Sequence, residues 1–165
     1  MKNKYLLVLL ASLFTGVANA GDLDLSGVGV SVGTVHSKTA MGDVGNSGLD
    51  LGLSYNYDIN DKFFVQPSIH YTTSGNEYGD KFYTANLDLG YKYKLENGWI
   101  LKPRVGYTYF KSMYDDGSNY GNGYNAGLEL GVNKNVSIDF NYHHLNGKES
   151  GHYVNLMSLG VKYTF

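Results

Sequence analysis

The chain has 165 residues, a formal net charge of −2 and no cysteine. The missing cysteines exclude a disulfide-stabilised scaffold, and the slight excess of acidic residues argues against a protein that binds nucleic acid through a basic surface. With 16 tyrosines, 22 glycines and only 2 prolines, the composition is typical of strands joined by tight turns rather than of a helical bundle.

The start of the chain has the features of a secretory leader. Lys2 and Lys4 precede a short apolar stretch, and Ala18-Asn19-Ala20 matches a small-residue cleavage site. A transmembrane helix is the alternative, but the apolar stretch is shorter than the ~20 residues that such a helix needs. We therefore expect residues 1–20 to be a cleaved signal peptide. Residues 21–165 are then one exported domain with 11 basic and 15 acidic residues.

Beyond the leader, eight segments, most of about ten residues, place apolar side chains at every second position. In the clearest segment the apolar residues are Leu49, Leu51, Leu53, Tyr55 and Tyr57. Successive side chains of a strand point to opposite faces, so each segment has one apolar and one polar face. An apolar wall around a polar interior is typical of a barrel that lies in a membrane. The pattern predicts an all-β fold, an eight-stranded antiparallel up-and-down transmembrane β-barrel.

The predicted strands alternate with connections of two kinds. Strand one runs from Leu23 to His36, and a change of phase within it indicates a bulge at Gly27 or Gly29. The other seven strands cover residues 48–58, 63–72, 82–95, 99–109, 123–133, 136–142 and 153–165. Tight turns, one of them with the hairpin signal Asn97-Gly98, alternate with long polar segments at residues 37–47, 73–80, 111–122 and 144–152. Because short turns face the periplasm in such barrels, both termini are expected there.

Aromatic residues fall at both ends of the predicted strands. One set lies beside the short turns and comprises Tyr57, Phe63, Tyr91, Tyr93, Trp99, Tyr163 and Phe165. The other set lies beside the long connections and comprises Tyr71, Tyr83, Tyr107, Tyr109, Tyr124, Tyr142 and Tyr153. These sets predict two girdles at the two lipid–water interfaces. A soluble barrel of the lipocalin type is the alternative, but it would place apolar side chains inside and has no reason to band its tyrosines.

The last seven residues, Leu159-Gly160-Val161-Lys162-Tyr163-Thr164-Phe165, alternate in the same way and end on an aromatic residue. With this ending the chain resembles the small eight-stranded outer-membrane barrels of the OmpA transmembrane-domain, OmpX/Ail and opacity-protein type. The resemblance implies a monomer in the outer membrane of a Gram-negative bacterium, in contact with its lipids. It also implies that periplasmic chaperones escort the chain, and that Leu159, Val161, Tyr163 and Phe165 form the signal read by the barrel-assembly machinery. Since no peptidoglycan-binding domain follows Phe165, we expect no anchoring role of the OmpA kind.

Charged residues occupy several positions on the predicted inner face, namely Asp50, Asp88, Lys92, Lys102, Arg104, Glu129, Asp139 and Lys162. The interior of an eight-stranded barrel is filled by side chains rather than open, and charges buried there need partners. We predict a lumen network that consists of Asp88, Lys102, Arg104, Glu129, Asp139 and Lys162. The network is interpreted either as a polar core or as a gate for small ions, which would open when its ion pairs exchange partners.

The histidines are the other candidates for chemistry. His143, His144 and His152 cluster with Glu149, but their uneven spacing does not predict converging metal ligands. Barrels that deacylate lipid A use histidine, serine and a carboxylate on their late strands, whereas Leu145 stands two residues after His143 where that resemblance needs serine. Nothing in the sequence places Ser150 or Ser158 beside a histidine, and His70 and His143 are predicted as polar fillers of the lumen.

We therefore expect a non-enzymatic surface protein, with no catalytic residue, no cofactor and no metal. It would support envelope integrity and present four extracellular loops for adhesion and for contact with host or phage surfaces. The segment 111–122 mixes tyrosine with Gly, Ser, Asn and Asp, a composition that recurs in binding loops. The alternatives are a small low-conductance porin-like channel gated by the lumen charges and, with less support, a lipid A-modifying enzyme.

Overall fold

The computed structural model describes residues 26–39, 42–73, 81–114, 117–147 and 153–165. Eight long strands make up the fold: β1 Val28–Thr39, β2 Gly42–Tyr55, β3 Phe63–Thr73, β4 Lys81–Tyr91, β5 Ile100–Tyr114, β6 Gly117–Gly131, β7 Val136–Gly147 and β8 Tyr153–Thr164. The short segments Tyr57–Asp58 and Tyr93–Lys94 continue β2 and β4. Within these ranges no helix has the length and apolar character needed to cross a membrane.

The strands form one closed antiparallel sheet. Each strand pairs with its neighbours in sequence, and β1 pairs with β8 from Gly29↔Thr164 onward to close the ring. Pairing of β2 with β3, from Asp50↔Thr72 to Ser54↔Ser68, completes the circuit. A closed sheet leaves no row of unpaired peptide groups, which is the condition for lying in hydrocarbon. The prediction of an eight-stranded up-and-down barrel is confirmed.

Side chains alternate between the outer wall and the lumen along every strand. The pattern is regular in β4, where exposed and buried positions follow each other from Lys81 to Gly90. Leu87 is 59% exposed on the wall, whereas its neighbour Asp88 is 2% exposed in the lumen. The exposed positions include many leucine, valine, isoleucine, methionine and aromatic side chains, as expected for a lipid-facing surface.

The chain enters the barrel through a glycine with a left-handed backbone. Gly27 has φ of +92°, and its carbonyl accepts a hydrogen bond from the amide of Asn56 at 2.8 Å. Gly29, the other candidate for the phase change, is paired regularly on both sides. Val32 points outward and is exposed, so it belongs to the wall. The predicted signal peptide, with Leu23 and Leu25, lies outside the described residues.

Each of the three short turns is held by an asparagine side chain. The carbonyl oxygens of Asn60 and Asn133 each accept hydrogen bonds from two backbone amides that follow them, at 2.8 to 2.9 Å. In the third turn Asn97 accepts from the amide of Trp99 at 3.1 Å, and Gly98 takes a φ of +87°. Asparagine mimics a backbone turn in this way, which explains why these turns need so few residues.

The connections on the other side are shorter than the sequence predicts. Much of segment 111–122, expected to be a loop, is strand, because β5 continues to Tyr114 and pairs with β6 from Gly117. Similarly, β2 begins at Gly42 and β7 reaches Gly147 inside two other predicted loops, and residues 74–80 are not described. Polar, glycine-rich sequence was read as loop, but backbone pairing does not require apolar side chains once a hairpin has begun. The two strands of the β5–β6 hairpin have 15 residues each, more than the ~9–11 that cross a membrane.

The lumen at the end with the short turns is filled by an aromatic ring. Phe64 is fully buried there, and its ring lies over Gly90 on the neighbouring strand. A Cβ atom on Gly90 would overlap that ring, so the glycine provides the space that the phenylalanine occupies.

We expect Phe64→Ala to lower the free energy of unfolding by about 3–5 kcal/mol, the usual cost of removing a buried phenylalanine. The adjacent Phe63 points to the outer wall and provides a matched control. Phe63→Ala should cost less than half as much, as measured by urea unfolding of protein folded into vesicles. Equal losses for the two variants would contradict the placement of Phe64 in the core.

Candidate functional site

Arg104 stands at the centre of the lumen and contacts three carboxylates. Its Nη2 donates to both carboxylate oxygens of Asp139, at 2.8 and 3.0 Å, and also to the side-chain oxygen of Asn141. Its Nε lies 3.3 Å from Asp88 and its Nη1 lies 3.9 Å from Glu129. Neither of these two nitrogens makes a hydrogen bond to a described residue, so both contacts are ion pairs only.

Glu129 holds the two lysines of the same network. The ammonium of Lys102 lies 2.6 Å from one of its carboxylate oxygens, and that of Lys162 lies 2.9 Å from the other. Lys162 also donates to Gln66 at 3.1 Å, across the barrel interior. In the strand register Glu129 stands opposite both Lys102 and Asp139. The two acids thus share the cations around them.

The structure brings all six residues of the predicted lumen network together, and we call them the charge network: Asp88, Lys102, Arg104, Glu129, Asp139 and Lys162. Three cations face three anions, so the set is neutral. Buried charges are tolerated only when paired in this way, because an uncompensated ion costs several kcal/mol. Gly127 makes room for the centre, since a Cβ there would lie 2.7 Å from Cζ of Arg104.

Lys92, predicted to face the lumen, lies at the short-turn end of the barrel and outside the charge network. Lys92 follows the last residue of β4 and forms a 2.5 Å ion pair with Asp58, whose side chain is half exposed. Both residues lie beside the short turns, at one rim of the barrel. The register of β4 with β5 is the same on both sides of Lys92, from Gly90↔Arg104 to Tyr93↔Leu101, so the alternation that predicted an inward side chain continues here.

Two buried histidines lie in a second polar layer of the lumen. Nδ1 of His70 lies 3.2 Å from one carboxylate oxygen of Asp50. The other carboxylate oxygen of Asp50 accepts a hydrogen bond from the hydroxyl of Thr72 at 2.8 Å. His143 lies 3.3 Å from the Thr108 hydroxyl, and its ring is 6.2 Å from that of His70. These contacts fit the prediction that both histidines fill the lumen. A cavity of about 10 Å³, the room of one water molecule, lies beside this layer and is also lined by Val35 and Leu156.

An apolar cluster fills the lumen on the side away from the short turns, and the sequence analysis missed it. This apolar plug consists of Val35, Phe82, Phe110, Leu145 and Leu156, all at most 3% exposed. Phe82 and Leu156 occupy inward positions of predicted strands, so alternation alone could have identified them. Phe110 and Leu145 were missed because strands five and seven were predicted to end before them.

On the outer wall of β6, β7 and β8, polar and aromatic side chains form a cluster near the end of the barrel that lies away from the short turns. Oδ1 of Asn155 accepts a hydrogen bond from the Tyr142 hydroxyl at 3.0 Å and lies 2.7 Å from Nδ1 of His144. The His144 ring is parallel to that of Tyr124 within 8° and tilted by 30° to that of Tyr153. We call these five residues the outer-face cluster.

Those candidate catalytic and metal-ligating residues that the structure describes do not converge. His143 faces the lumen beside Leu156, Leu145 belongs to the apolar plug, and Ser158 is buried in the lumen wall. The outward histidine of β7 is instead His144, and the residue two positions after it is Asn146. Among the described residues no group of three potential ligands has the geometry of a metal site. His152, Glu149 and Ser150 lie outside those residues.

The C-terminal residues predicted as an assembly signal line the outer wall of β8. Leu159, Val161 and Tyr163 are exposed, and the ring of Tyr163 meets that of Phe165 edge-on at 5.0 Å. The amide of Phe165 donates to Val28, which ties the C-terminus to β1. An exposed apolar strip therefore ends at the seam where the first and last strands close the barrel.

Comparison with solved structures shows the same fold in several surface proteins. Neisserial surface protein A matches with a TM-score of 0.61 and 19% identity, over 85% of this chain and 98% of the other. Ail of Yersinia pestis matches with a TM-score of 0.53 and 21% identity, over 85% of this chain and 99% of the other. The outer membrane enzyme PagL matches with a TM-score of 0.57 and 14% identity, over 82% and 99%. A search of curated proteins finds no match.

The family comparison covers almost the whole chain. The family described as "Outer membrane protein beta-barrel domain" matches residues 6–165, which include every strand of the barrel. This match and the closed sheet with its apolar wall agree on the outer membrane of a Gram-negative bacterium as the location. The chain belongs to the family of outer membrane protein beta-barrel domains.

Proposed function

We propose that this outer-membrane barrel is a non-enzymatic surface protein, in which a solid barrel supports extracellular hairpins that bind partners. The observation that carries the proposal is the filled lumen. From one end to the other it contains Phe64, the charge network, the polar layer with His70 and His143, and the apolar plug. A barrel filled in this way holds its strands in place, so binding is left to the surfaces that it exposes.

The same observation argues against the low-conductance channel. An ion crossing the lumen would have to pass the buried ring of Phe64 and the apolar plug around Phe110, both nearly free of solvent. It would also have to separate pairs such as Arg104 and Asp139, whose charges are neutralised within the network. We therefore interpret the charge network as a structural core rather than as a gate.

The β5–β6 hairpin is the most prominent candidate for the binding surface. Beyond Tyr109, where the apolar wall ends, β5 continues for several residues and β6 returns beside it. Its outward side chains include Lys111, Met113 and Asn122. Such a mixture of polar and apolar groups on a paired backbone offers a contact surface whose ordering cost has already been met by folding.

Charge limits the kind of partner. One related structure shows Ail of Yersinia pestis in complex with the heparin analogue sucrose octasulfate. The segment 111–122 of the present chain contains one lysine and two aspartates. Such a segment favours a neutral or cationic partner, because it would repel a polyanion. We therefore infer a protein or uncharged carbohydrate surface on a host cell or phage as the partner.

An enzyme is the weaker candidate, although PagL shows that the fold can carry one. Hydrolysis of an ester by a serine mechanism needs a nucleophile within hydrogen-bond reach of a histidine. Among the described residues, the outward His144 contacts Asn155 and aromatic rings but no serine. The proposal of a non-enzymatic protein rests on this arrangement.

The route to the membrane completes the proposal. Residues 1–20 serve as a cleaved signal peptide, and periplasmic chaperones carry the exported monomer. The exposed strip Leu159, Val161, Tyr163 and Phe165 is then read by the barrel-assembly machinery. Its position at the closing seam of the barrel supports this role, because recognition of the last strand would precede its pairing with β1.

Planar-bilayer recordings of the purified protein should show no conductance steps for the wild type, for Arg104→Ala or for Phe110→Ala. Each single substitution leaves at least one of the filled layers in place, so none opens a continuous path. Discrete steps in the wild type that change with Arg104→Ala would favour the gated channel instead.

Arg104→Ala should destabilise the barrel by about 3–5 kcal/mol, since it leaves Asp88 and Asp139 buried without their cation. Lys92→Ala provides the control, because its ion pair with Asp58 is at the solvated rim and is worth about 0–1 kcal/mol. Urea unfolding in vesicles measures both values. Similar losses for the two variants would show that the charge network does not stabilise the barrel.

Replacing residues 111–120 by a two-residue Asn-Gly turn should reduce adherence to cultured epithelial cells of bacteria that display the protein. We expect adherence to fall to the level of cells without the protein, while surface amount and heat-dependent gel mobility stay unchanged. Lys134→Ala, in a periplasmic turn, is the control and should adhere like the wild type. Undiminished adherence of the shortened variant would exclude the hairpin as the binding surface.

A further inference from the structure

The outer-face cluster interrupts the apolar wall of the barrel. On β8 the outward positions Met157, Leu159 and Val161 are apolar, whereas Asn155 is polar in the same phase. In the strand register Asn155 stands opposite His144, and His144 stands opposite Tyr124. Three adjacent strands thus place hydrogen-bonding and aromatic groups side by side on a surface that faces lipid.

The height of the cluster determines which part of the bilayer it meets. Asn155 lies ten residues from Phe165, which is at the periplasmic end of β8. At ~3.3 Å per residue and a tilt of ~40°, this separation is a rise of about 25 Å, close to the height of the apolar band of such barrels. The cluster therefore lies at the outer interface, where acyl chains give way to headgroups.

Within the described part of the chain, the hydrogen-bonding capacity of the cluster is only partly used. The side-chain oxygen of Asn155 takes both internal bonds, from Tyr142 and His144. Its amide nitrogen, which can donate two hydrogen bonds, donates none to a described residue. The internal bonds hold the amide in one orientation, so its donors remain available in a fixed position.

The aromatic rings and a nearby cation add two further features. Ring centroids of Tyr124 and Tyr153 lie 6.1 and 5.8 Å from that of His144, which gives a row of three rings along the wall. Lys38 stands opposite Asn155 on β1, and its side chain is exposed. Rings that pack against the faces of a sugar, amide donors for hydroxyl groups and an ammonium for a phosphate are complementary to a phosphorylated sugar.

We propose that the outer-face cluster binds the phosphorylated sugar headgroup of an outer-leaflet glycolipid. The occupant follows from the position, because this surface is continuous with the lipid-facing wall and meets the headgroups of the outer leaflet. The acyl chains of the glycolipid lie against the apolar residues below, among them Met157 and Leu159. This inference concerns the barrel wall and is independent of the binding role proposed for the β5–β6 hairpin.

The test compares lipids with the full mature barrel folded in phosphatidylcholine nanodiscs. Lipopolysaccharide is added in one arm and phosphatidylglycerol at equal charge in another, and the midpoint of heat-dependent gel mobility is measured in each. We expect a rise with lipopolysaccharide that phosphatidylglycerol does not reproduce. Asn155→Leu and His144→Phe should weaken apparent lipopolysaccharide affinity at least tenfold and keep the wild-type midpoint in phosphatidylcholine alone.

The variants are chosen so that folding and binding can be distinguished. Asn155→Leu restores the apolar alternation of β8, and His144→Phe keeps the ring while removing its nitrogens. Tyr83→Phe, on β4 away from the cluster, removes an outward tyrosine hydroxyl and should respond to lipopolysaccharide like the wild type.

Two results would overturn the proposal. One is an equal response to phosphatidylglycerol, which would indicate charge alone, and the other is an undiminished response of both variants. A third arm adds the deacylated saccharide of lipopolysaccharide in solution, which should not raise the midpoint at the same concentration. Binding of that saccharide as tight as that of the intact glycolipid would contradict a lipid source.

Discussion

Hydrocarbon offers no hydrogen-bond partner to a peptide group, and the closed ring of eight strands is the direct response to that constraint. Closure between β1 and β8 depends on a continuous register from Gly29↔Thr164 toward the far end of both strands. Once the ring is closed, each residue must face either lipid or lumen. The alternation of apolar and polar side chains follows from this, and so does the requirement that the narrow interior be filled.

The interior meets that requirement with three kinds of packing. Phe64 fills one end, the apolar plug fills the other, and a neutral set of charges lies between them. The charges are acceptable because each has a partner of opposite sign within the lumen, and glycines such as Gly127 leave space for the larger side chains. A barrel packed in this manner acts as a rigid support. Its chemistry toward the environment then lies in the extended β5–β6 hairpin and on the outer wall.

Comparison of sequence and structure shows where alternation is a reliable guide. It identified the strands that cross the membrane and the six members of the charge network, because period-two patterning directly reflects which face a side chain takes. It did not show where strands end. The polar segment 111–122 was read as loop, yet its backbone pairs on both sides of the hairpin. Missing those extensions also hid Phe110 and Leu145, two of the five side chains of the apolar plug.

Two single residues illustrate the same limit from opposite directions. Lys92 has the phase of a lumen residue, but it lies at the rim of the barrel, where it pairs with Asp58 instead of joining the charge network. Asn155 looks like an isolated fault in the apolar phase of β8, yet the register brings it to Tyr142 and His144 on the neighbouring strand. In both cases the partner lies on another strand, and the local pattern of either strand gives no access to it.

The sequence by itself determined the class of fold, the wall and lumen faces and the membrane that the chain enters, since each depends on the local alternation of side chains. The tertiary structure decided which charges pair, how far the hairpins continue and how both ends of the lumen are closed. Those features depend on the register between strands and on the closure of the ring, which set the distances between residues far apart in the chain.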